Sequence, residues 1–401
     1  MTPKPRIIIL MHYLELGGAE MSLIGLLGAI DPQRVDVDLF VYSHRGPLMR
    51  FIPEWVNLLP QIPAYSVIES PLAEAVRRGH IGIAVGRMLA RWKCTRYRRR
   101  NPATDDDGAI MQYVGDYVTP WLPKINPTVE YDLCISFLTP HNIGRDKVRA
   151  RRRLAWIHTD YSTVSINAER ELPVWGAYDH IAAISPEVRR AFVATFPSLE
   201  PKIVDIENML SAEFVRKRGA ENDCTAEMPG TPRLLSVGRY CTAKNYDNVP
   251  DIARRMVAAG LHDLSWYIIG YGGDEELIRR RIAEAGMEHH VILLGKKDNP
   301  YPYIKACDIY VQPSRYEGKS VTVREAQILG KPVAVTAYPT AASQINHGVD
   351  GVIVPLDNEG CARGLADFIA DTALRERIAA YLSTHDYAGT AEVEKIYRLF
   401  T

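Results

Sequence analysis

The sequence predicts an α/β protein with two Rossmann-like, doubly wound domains that face a central cleft. Short apolar runs alternate with helical patterns along the chain, which is typical of buried parallel strands joined by helices. A length of 401 residues is enough for two cores of ordinary domain size. A polar stretch at 216–232, rich in Gly and Pro, separates the two halves.

Each half has its own set of predicted strands. In the first half they lie at 6–10, 35–42, 131–137, 153–157, 180–185 and 202–208. In the second half they lie at 233–238, 265–270, 291–295, 308–313, 332–337 and 351–354. We therefore expect an N-terminal domain over 1–215, a linker over 216–232, a C-terminal domain over 233–384 and a terminal helix within 385–401.

Composition narrows the class of protein. Lys and Arg number 48, as do Asp and Glu, so net charge gives no reason to expect nucleic-acid binding. None of the six cysteines forms a C-x-x-C pair, which favours reduced thiols in a cytoplasmic protein. The first apolar run is too short for a signal peptide, and no apolar stretch reaches the length of a spanning helix.

The segment "PSRYEGKS" at 313–320 ends like a phosphate-binding P-loop. Pro313 stands where the first glycine of that loop is required, and proline has no N–H to offer a phosphate. A strand at 308–312 is predicted to lead through Pro313 into a loop with Glu317 and Gly318, and a helix is predicted from near Ser320 to Leu329. Its N-terminus would favour an anion, and the segment carries Glu317 and Glu325, eight residues apart.

A second anion site is predicted where the strand at 233–238 ends. Arg239 and Lys244 follow it in a loop before a helix. Two cations at the carboxyl end of a strand suit a diphosphate, since Arg binds it bidentately and Lys acts as a compact charge. The alternative is an ordinary exposed Arg and Lys.

The Glu317-x7-Glu325 spacing, the "GKPV" that follows it and the Arg239…Lys244 loop together resemble retaining glycosyltransferases of the GT-B fold, family 4. The resemblance is strongest over 231–356, moderate around 14–23 and His158, and weak over 45–130. Taken alone, two glutamates eight apart are also typical of solvated acids on a helix. Lys319 differs from the small or aromatic residue common in the family.

The resemblance implies a role for each matching residue. Glu317 would bind the sugar, Glu325 the ribose, and Arg239 and Lys244 the leaving diphosphate. Lys297, with Lys296, would contact the base near Tyr301 and Tyr303. The donor-binding residues implied in this way are Gly17, Gly18, Arg239, Lys244, Lys297, Glu317, Gly318, Lys319, Ser320, Val321 and Glu325. The catalytic residues implied are Glu317, His158, Arg239 and Lys244.

Several of these residues have an equally simple structural interpretation. Gly17 and Gly18 either let backbone approach a ligand or form a turn. His158 ends an apolar strand, and the resemblance places it beside the sugar, with Asp160 orienting the acceptor. The glycines at 270 and 272 are interpreted as a tight turn near the nucleotide. The terminal helix would cross back onto the first domain.

No metal or other cofactor is expected, since the family relies on cationic side chains. Two D-x-D patterns, at 36–38 and 105–107, are the metal-binding alternatives. The nucleotide diphosphate sugar, with UDP or GDP, is the co-substrate. A glycan or lipid-linked glycan is the expected acceptor, in polysaccharide synthesis. The alternatives are a nucleotide-sugar epimerase of the same fold and a non-catalytic nucleotide-sugar-binding protein.

Residues 77–100 contain nine cations and no acid, interleaved with apolar residues. One interpretation is a basic amphipathic helix on an anionic membrane surface, at the inner face of the membrane. The other is a charged helix whose apolar side faces the domain core. A second basic cluster lies at 145–153.

Overall fold

The computed structural model describes residues 4–15, 17–101, 106–159, 161–162 and 164–400, with no side-chain description for 106 and 107. The chain folds into two compact units. Unit 1 comprises Met1–Leu210 together with Gly389–Thr401, and unit 2 comprises Ser211–Ala388.

Across the described residues, unit 1 contains a seven-stranded parallel sheet in the order β3-β2-β1-β5-β6-β8-β9, and β4 pairs separately with β7. The strands are β1 Arg6–Met11, β2 Asp36–Val41, β3 Asn57–Leu58, β4 Asp106–Asp107, β5 Tyr131–Ser136, β6 Ala150–Ile157, β7 Val164–Ser165, β8 His180–Ala183 and β9 Ile203–Asp205. The helices are α1 Gly18–Ala29, α2 Pro63–Ser66, α3 Leu72–Arg77, α4 Ile81–Arg98, α5 Ala109–Val118, α6 Asn142–Lys147, α7 Ala168–Gly176 and α8 Pro186–Thr195.

Unit 2 contains a six-stranded parallel sheet in the order β12-β11-β10-β13-β14-β15 within the part of the chain that is described. The strands are β10 Arg233–Val237, β11 Ser265–Ile269, β12 Val291–Gly295, β13 Ile309–Gln312, β14 Val333–Thr336 and β15 Val352–Val354. The helices are α9 Ala212–Gly219, α10 Val249–Ala258, α11 Glu275–Ala285, α12 Tyr301–Ala306, α13 Val321–Ile328, α14 Ala341–Gln344, α15 Asn358–Ala370 and α16 Thr372–Thr384.

The strand order creates a switch point in each sheet. In unit 2, β10 lies between β11 and β13, with Leu234 opposite Ile309. In unit 1, β1 lies between β2 and β5. Ligands of open α/β sheets bind beyond the carboxyl ends of the strands at such points. Two doubly wound parallel sheets confirm the predicted fold class, and all of their strands except β3 match the apolar runs of the sequence.

The expected linker at 216–232 is partly helical. Helix α9 runs to Gly219, and a 3₁₀ turn covers Thr225–Glu227. The Ser211 side chain caps α9 by accepting from the N–H of Phe214 at 3.1 Å. The first polar residues of this stretch, Arg216, Lys217 and Arg218, form the last turn of α9, where cations interact favourably with the helix dipole.

The terminal helix is shorter than expected. A 3₁₀ turn at Thr390–Glu392 leads into α17, Val393–Tyr397, while 385–389 is not helical. Gly389 adopts a left-handed φ of 70°, which glycine permits. Within unit 1, Tyr397 Oη accepts from the N–H of Asp31 at 2.8 Å, and Lys395 Nζ donates to Asp205 O at 2.9 Å.

Candidate functional site

Lys244 and Glu317 meet at the carboxyl edge of the unit 2 sheet. Lys244 ends a 3₁₀ turn in the loop after β10, and Glu317 lies in the loop after β13. Lys244 Nζ lies 2.5 Å from Glu317 Oε1, and their side chains are 19 % and 12 % exposed. The two residues that the sequence predicted for one site are therefore in contact. In this structure each is the ion-pair partner of the other.

The Glu317 carboxylate is held in place by two buried side chains. Ser314 Oγ donates to Glu317 Oε1 at 2.6 Å, and Gln312 Nε2 donates to the same oxygen at 3.0 Å. Both residues are fully buried, and the Thr340 hydroxyl donates to Glu317 O at 2.7 Å. The sequence reasoning missed Gln312 and Ser314, although polar residues ending an apolar strand were a visible signal.

The two loops of the site are braced against each other. The Arg315 guanidinium pairs with both carboxylate oxygens of Asp247, at 2.8 and 2.7 Å, and donates to Thr242 O at 2.6 Å. Asn245, in a left-handed conformation, donates from Nδ2 to Pro313 O at 2.9 Å. This bracing fixes the distance between Lys244 and Glu317, and the sequence reasoning missed it.

Arg239 is exposed on the loop that follows β10, and no side-chain partner for it is found among the described residues. The backbone of this loop packs against the turn after β11. A Cβ on Gly270 would lie 1.9 Å from Gly238 O, so only glycine permits this close approach. The glycine turn predicted beside the nucleotide site therefore supports the loop that carries Arg239.

The N-terminus of α13 is only partly open. The N–H of Ser320, predicted to bind phosphate, donates to Gln344 Oε1 at 2.9 Å, and Gln344 Nε2 donates to Ser320 O at 2.6 Å. Gly318 is exposed, and a Cβ there would meet no atom within 4 Å. Lys319 is half-buried, and Val321 is the first residue of α13. Ser320 could bind an anion through its N–H only if Gln344 moved.

Glu325 lies inside α13 with 4 % of its surface exposed. Tyr301 Oη donates to Glu325 Oε1 at 2.7 Å. Burial raises the pKa of Glu325 to about 7, because a carboxylate is poorly solvated there. Tyr301 is itself 5 % exposed, so the predicted ribose ligand is hydrogen-bonded to a side chain that is also buried.

Lys297, predicted to contact the base, pairs with Glu227 at 3.6 Å and lies 4.9 Å from the centre of the Tyr303 ring. The Tyr303 hydroxyl donates to Glu227 at 2.6 Å. Lys296 lies 5.5 Å from the centre of the Tyr271 ring. Tyr301 and Tyr303 are both buried, and each donates its hydroxyl hydrogen to a carboxylate, Glu325 and Glu227 respectively.

In unit 1, Gly17 is the N-cap of α1, and a Cβ there would lie 2.3 Å from Glu20 Oε2. Gly17 thus leaves room for the Glu20 carboxylate, whose pKa is raised by burial. A Cβ on Gly18 would meet nothing within 4 Å. The open side at Gly18 is the one that a ligand could approach.

His158 follows β6 and packs against two aromatic rings. Its ring centre lies 4.6 Å from that of Phe137 and 6.0 Å from that of Trp156, on which it stacks. Burial lowers its pKa to about 3, so the imidazole is neutral at physiological pH. Its Nε2 has no hydrogen-bond partner within the described part of the chain. Asp160 lies outside the described residues.

The D-x-D pattern at 36–38 is structural. Asp36 pairs with Lys4 at 3.0 Å, and the buried Asp38 accepts from Arg6 at 2.9 Å and Asn57 at 2.7 Å. The pattern at 105–107 lies outside the described side chains. Among the residues described, no group of three or more His, Cys, Asp or Glu side chains has the geometry of a metal site.

The family model of glycosyl transferases group 1 matches residues 223–384. An N-acetylgalactosamine-N,N'-diacetylbacillosaminyl-diphospho-undecaprenol 4-alpha-N-acetylgalactosaminyltransferase of Campylobacter jejuni is 29 % identical over 183 residues, 45 % of this chain and 48 % of that protein. The lipopolysaccharide core biosynthesis glycosyltransferase LpsE of Rhizobium meliloti is 26 % identical over 149 residues, 37 % of this chain and 42 % of that protein. The matches span less than half the length of these relatives.

Solved structures match over nearly the whole chain. HepE from Anabaena, in complex with UDP-glucose, has a TM-score of 0.61 at 16 % identity, covering 98 % of this chain and 100 % of that one. TarM of S. aureus, in a complex that includes UDP, has a TM-score of 0.66 at 11 % identity, covering 99 % and 100 %. The chain therefore has the GT-B fold, and its residues 223–384 match the family model of glycosyl transferases group 1.

Proposed function

We propose that the chain is a retaining glycosyltransferase of family 4. It would move a sugar from a nucleotide diphosphate sugar to a glycan or lipid-linked glycan acceptor, in cell-surface polysaccharide synthesis. The observation that carries the proposal is the contact of Lys244 with Glu317 at the carboxyl edge of β10 and β13, within the domain that matches the family.

The Lys244–Glu317 pair gives the site a cation and a carboxylate that a donor would separate. A diphosphate competes for Lys244, and the exposed Arg239 adds a second cation. Negative charge grows on the leaving diphosphate as the glycosidic bond breaks, and fixed cations there lower the barrier. Glu317 then keeps the hydrogen bonds from Ser314 and Gln312, and its carboxylate becomes available to hydroxyls of the sugar.

Glu325 would bind the ribose from inside α13. Its buried carboxyl is held by Tyr301, so a ribose hydroxyl has to reach a group whose position is already set. UDP is the nucleotide we favour, since HepE was solved with UDP-glucose and TarM in a complex that includes UDP. Lys297 would contact the base beside the Tyr303 ring.

Thermal shift with a panel of UDP, GDP and their sugars tests the donor. A nucleotide at 100 times its Kd should raise the free energy of unfolding by about 2.7 kcal/mol. Lys244→Ala should weaken binding by about 1–3 kcal/mol, the value of a lost charged hydrogen bond, and Lys305→Ala, an exposed lysine on α12, should not. Unchanged affinity in Lys244→Ala would show that Lys244 does not bind the nucleotide. A failure of every nucleotide to stabilise the chain would contradict the proposal.

The retaining and metal-independent character of the reaction is part of the proposal. The anomeric configuration of the product, read by NMR at early times, should equal that of the donor. Transfer should continue after treatment with EDTA, since cationic side chains replace a metal. An inverted product or a loss of turnover that Mg²⁺ or Mn²⁺ restores would contradict these points.

We further propose that α4 binds an anionic membrane surface. One face of α4 packs into the core through Ile83, Ala84, Ala90 and Cys94. The other face exposes an apolar stripe, comprising Ile81 (62 % exposed), Val85, Met88 (52 %), Leu89 and Trp92 (56 %). The core-facing interpretation of the basic segment thus describes one face of the helix, and the proposed membrane surface is the opposite face.

The charges around the stripe suit anionic lipid. Arg91 and Arg96, in the second half of α4, and Arg99 and Arg100, just after its end, are exposed. Arg87 instead donates to the carbonyl groups of Val67 and Ser70, so it belongs to the fold. No helix in the described residues has the length and apolar character to cross a bilayer. Basic residues beside an exposed apolar stripe favour binding at the surface.

A further inference from the structure

The segment after β14 holds a loop of the candidate site at two places. This donor-site loop comprises residues 317–320, between β13 and α13. The Thr340 hydroxyl donates to Glu317 O at 2.7 Å, at the first residue of the loop. The Gln344 side chain bonds to Ser320, at its last residue. One neighbouring segment thus fixes both ends of the loop that carries Glu317.

Gln344 forms two hydrogen bonds with the backbone of a single residue. Its Oε1 accepts from the N–H of Ser320 at 2.9 Å, and its Nε2 donates to Ser320 O at 2.6 Å. A side-chain amide has an acceptor and a donor side by side, so it can pair with a backbone N–H and C=O as a neighbouring strand does. Only one orientation of the amide satisfies both bonds. The contact therefore sets both the position and the direction of the Ser320 backbone.

The segment that carries Thr340 and Gln344 is itself anchored in unit 2. Tyr338, Ala341 and Ile345 are each 2 % exposed. The N–H of Ala341 donates to Tyr338 O at 2.9 Å, and the N–H of Ile345 donates to Ala341 O at 2.9 Å. A side chain can hold a neighbouring loop only where its own backbone is fixed, and these buried residues fix it.

The middle of the donor-site loop has no comparable support. Gly318 is exposed, and no partner for its N–H is found in the described part of the chain. A Cβ on Gly318 would meet no atom within 4 Å. Since glycine is the most flexible residue of a chain, a loop of this kind needs fixed ends to present Glu317 in one position.

We propose that Thr340 and Gln344 are positioning residues of the donor site. They hold the donor-site loop in the form in which Glu317 binds the sugar of a nucleotide sugar. Gln344 keeps its bonds to Ser320 in the complex, so Ser320 anchors the loop and does not contact the diphosphate. The inference rests on the proposed function, since that function assigns Glu317 to the sugar and Lys244 to the diphosphate.

The alternative is that Gln344 blocks an anion site at the N–H of Ser320. A phosphate would then displace the amide, and removal of Gln344 would tighten binding. The other contacts of the segment favour positioning, because Thr340 and Gln344 also donate to the carbonyl oxygens of Glu317 and Ser320. A carbonyl oxygen is an acceptor and offers nothing to an anion.

Four variants separate the hydrogen bonds of the segment from its packing. Gln344→Met removes both bonds to Ser320 and keeps a side chain of similar length. Gln344→Glu can make both bonds only while the introduced carboxyl is protonated, because an ionised carboxylate cannot donate to Ser320 O. Thr340→Val removes the hydroxyl that holds Glu317, and Thr340→Ser keeps it. The matched control is Gln33→Glu, at an exposed glutamine of unit 1.

Titration calorimetry of the full chain measures the affinity for UDP and for UDP-glucose, UDP-galactose, UDP-N-acetylglucosamine and UDP-N-acetylgalactosamine. The UDP-sugar that binds most tightly is the probe. Gln344→Met and Thr340→Val should weaken binding of this UDP-sugar about 10-fold and that of UDP by less than about 2-fold, since the loop is assigned to the sugar. Thr340→Ser should bind both ligands like the parent chain.

The pH dependence of Gln344→Glu tests the hydrogen bonds directly. Relative to the parent chain, this variant should bind the UDP-sugar about 10-fold more weakly at pH 8, and it should regain part of this loss at pH 5. Only the protonated form of the introduced carboxyl makes both bonds, which raises its pKa. Gln33→Glu should show no such change. The titratable side chains of the contacting segments are the same in the parent chain and cancel in the ratio: Tyr338, Glu317, Lys319 and Glu325.

The outcomes distinguish the inference from the proposed function. Tighter binding by Gln344→Met would identify Gln344 as a block and overturn the inference. Equal weakening for UDP and the UDP-sugar would mean a purely structural role, and unchanged binding in a chain that transfers sugar would exclude positioning. Both results would overturn the inference alone. Sugar-dependent weakening in a chain that transfers sugar to no acceptor would keep the inference and overturn the transferase. A parent chain that binds no UDP-sugar would overturn both.

Discussion

At the scale of single residues, Glu325 makes the stability of unit 2 depend on pH. Its pKa is about 7 in the folded state and near 4.5 when unfolded, so the folded state binds more protons between these values. This contribution is fully present below pH 4.5 and is lost as the pH rises through 7. The difference between these two pKa values corresponds to about 3 kcal/mol. Glu325→Gln, neutral at every pH, should lose this dependence.

Urea unfolding at pH 5 and pH 8 measures the effect. Glu325→Gln should gain stability relative to the parent chain at pH 8 and much less at pH 5. Glu276→Gln, an exposed glutamate on α11, is the control and should show no such difference. If Glu325→Gln and the control behaved alike, ionisation of the buried Glu325 carboxyl would not be what lowers the stability at pH 8.

The sequence could predict which residues lie at the carboxyl edge of the unit 2 sheet, but not their contacts. The spacing of Glu317 and Glu325 and the position of Lys244 after a strand indicated the two loops that meet there. The ion pair of Lys244 with Glu317 depends on distances between two loops 73 residues apart in sequence, which no local pattern encodes. Gln344, which accepts a hydrogen bond from the N–H of Ser320, lies on α14. No local sequence pattern encodes this contact either.

At the scale of elements, α4 should bring the chain to anionic vesicles. Arg91→Glu combined with Arg96→Glu should weaken binding, since each cation near such a surface contributes about 1 kcal/mol. Met88→Ser combined with Trp92→Ser should weaken binding but leave its salt dependence unchanged, because this double substitution removes apolar area and no charge. Flotation of the full chain with phosphatidylglycerol vesicles measures both.

The control for α4 is Arg280→Glu with Arg377→Glu, an equal change of charge at exposed residues of unit 2. It should float like the parent chain. Equal flotation on phosphatidylcholine vesicles, or binding that high salt does not weaken, would exclude an electrostatic surface on α4.

Elements were more predictable than their ends. Every apolar run that was assigned to a strand lies in one of the two parallel sheets, because a buried parallel strand needs apolar residues on both faces. Helix α9 was not predicted, because its last turn is polar and it has few large apolar residues, Phe214 and Val215. The two-residue strands β4 and β7 have no pattern of their own to detect.

At the scale of the whole molecule, each unit has its own sheet and its own apolar clusters. The cluster around Trp266 and Met256 lies wholly in unit 2, and the one around Phe40 and Tyr65 wholly in unit 1. Alternating strands and helices predict this duplication. They do not fix the boundaries at Leu210 and Ala388, since these depend on which unit a short segment contacts.

The return of the chain to unit 1 leads to a prediction about that unit alone. Val393, Ile396 and Tyr397 are buried, and Glu392 accepts from the N–H of Glu207 at 2.9 Å. Ending the chain after Ala388 removes these contacts and should destabilise unit 1 by on the order of 5 kcal/mol, since each large apolar side chain contributes about 1.5–3 kcal/mol. Hydrogen exchange by mass spectrometry should show faster exchange in β1, α1 and β9, while peptides of unit 2 serve as the internal control. Tyr397→Phe, which removes the hydroxyl that accepts from the N–H of Asp31 and keeps the ring, should give a smaller change of about 1 kcal/mol in the same peptides. Unchanged exchange in unit 1 after the truncation would mean that α17 only covers a surface that is stable without it.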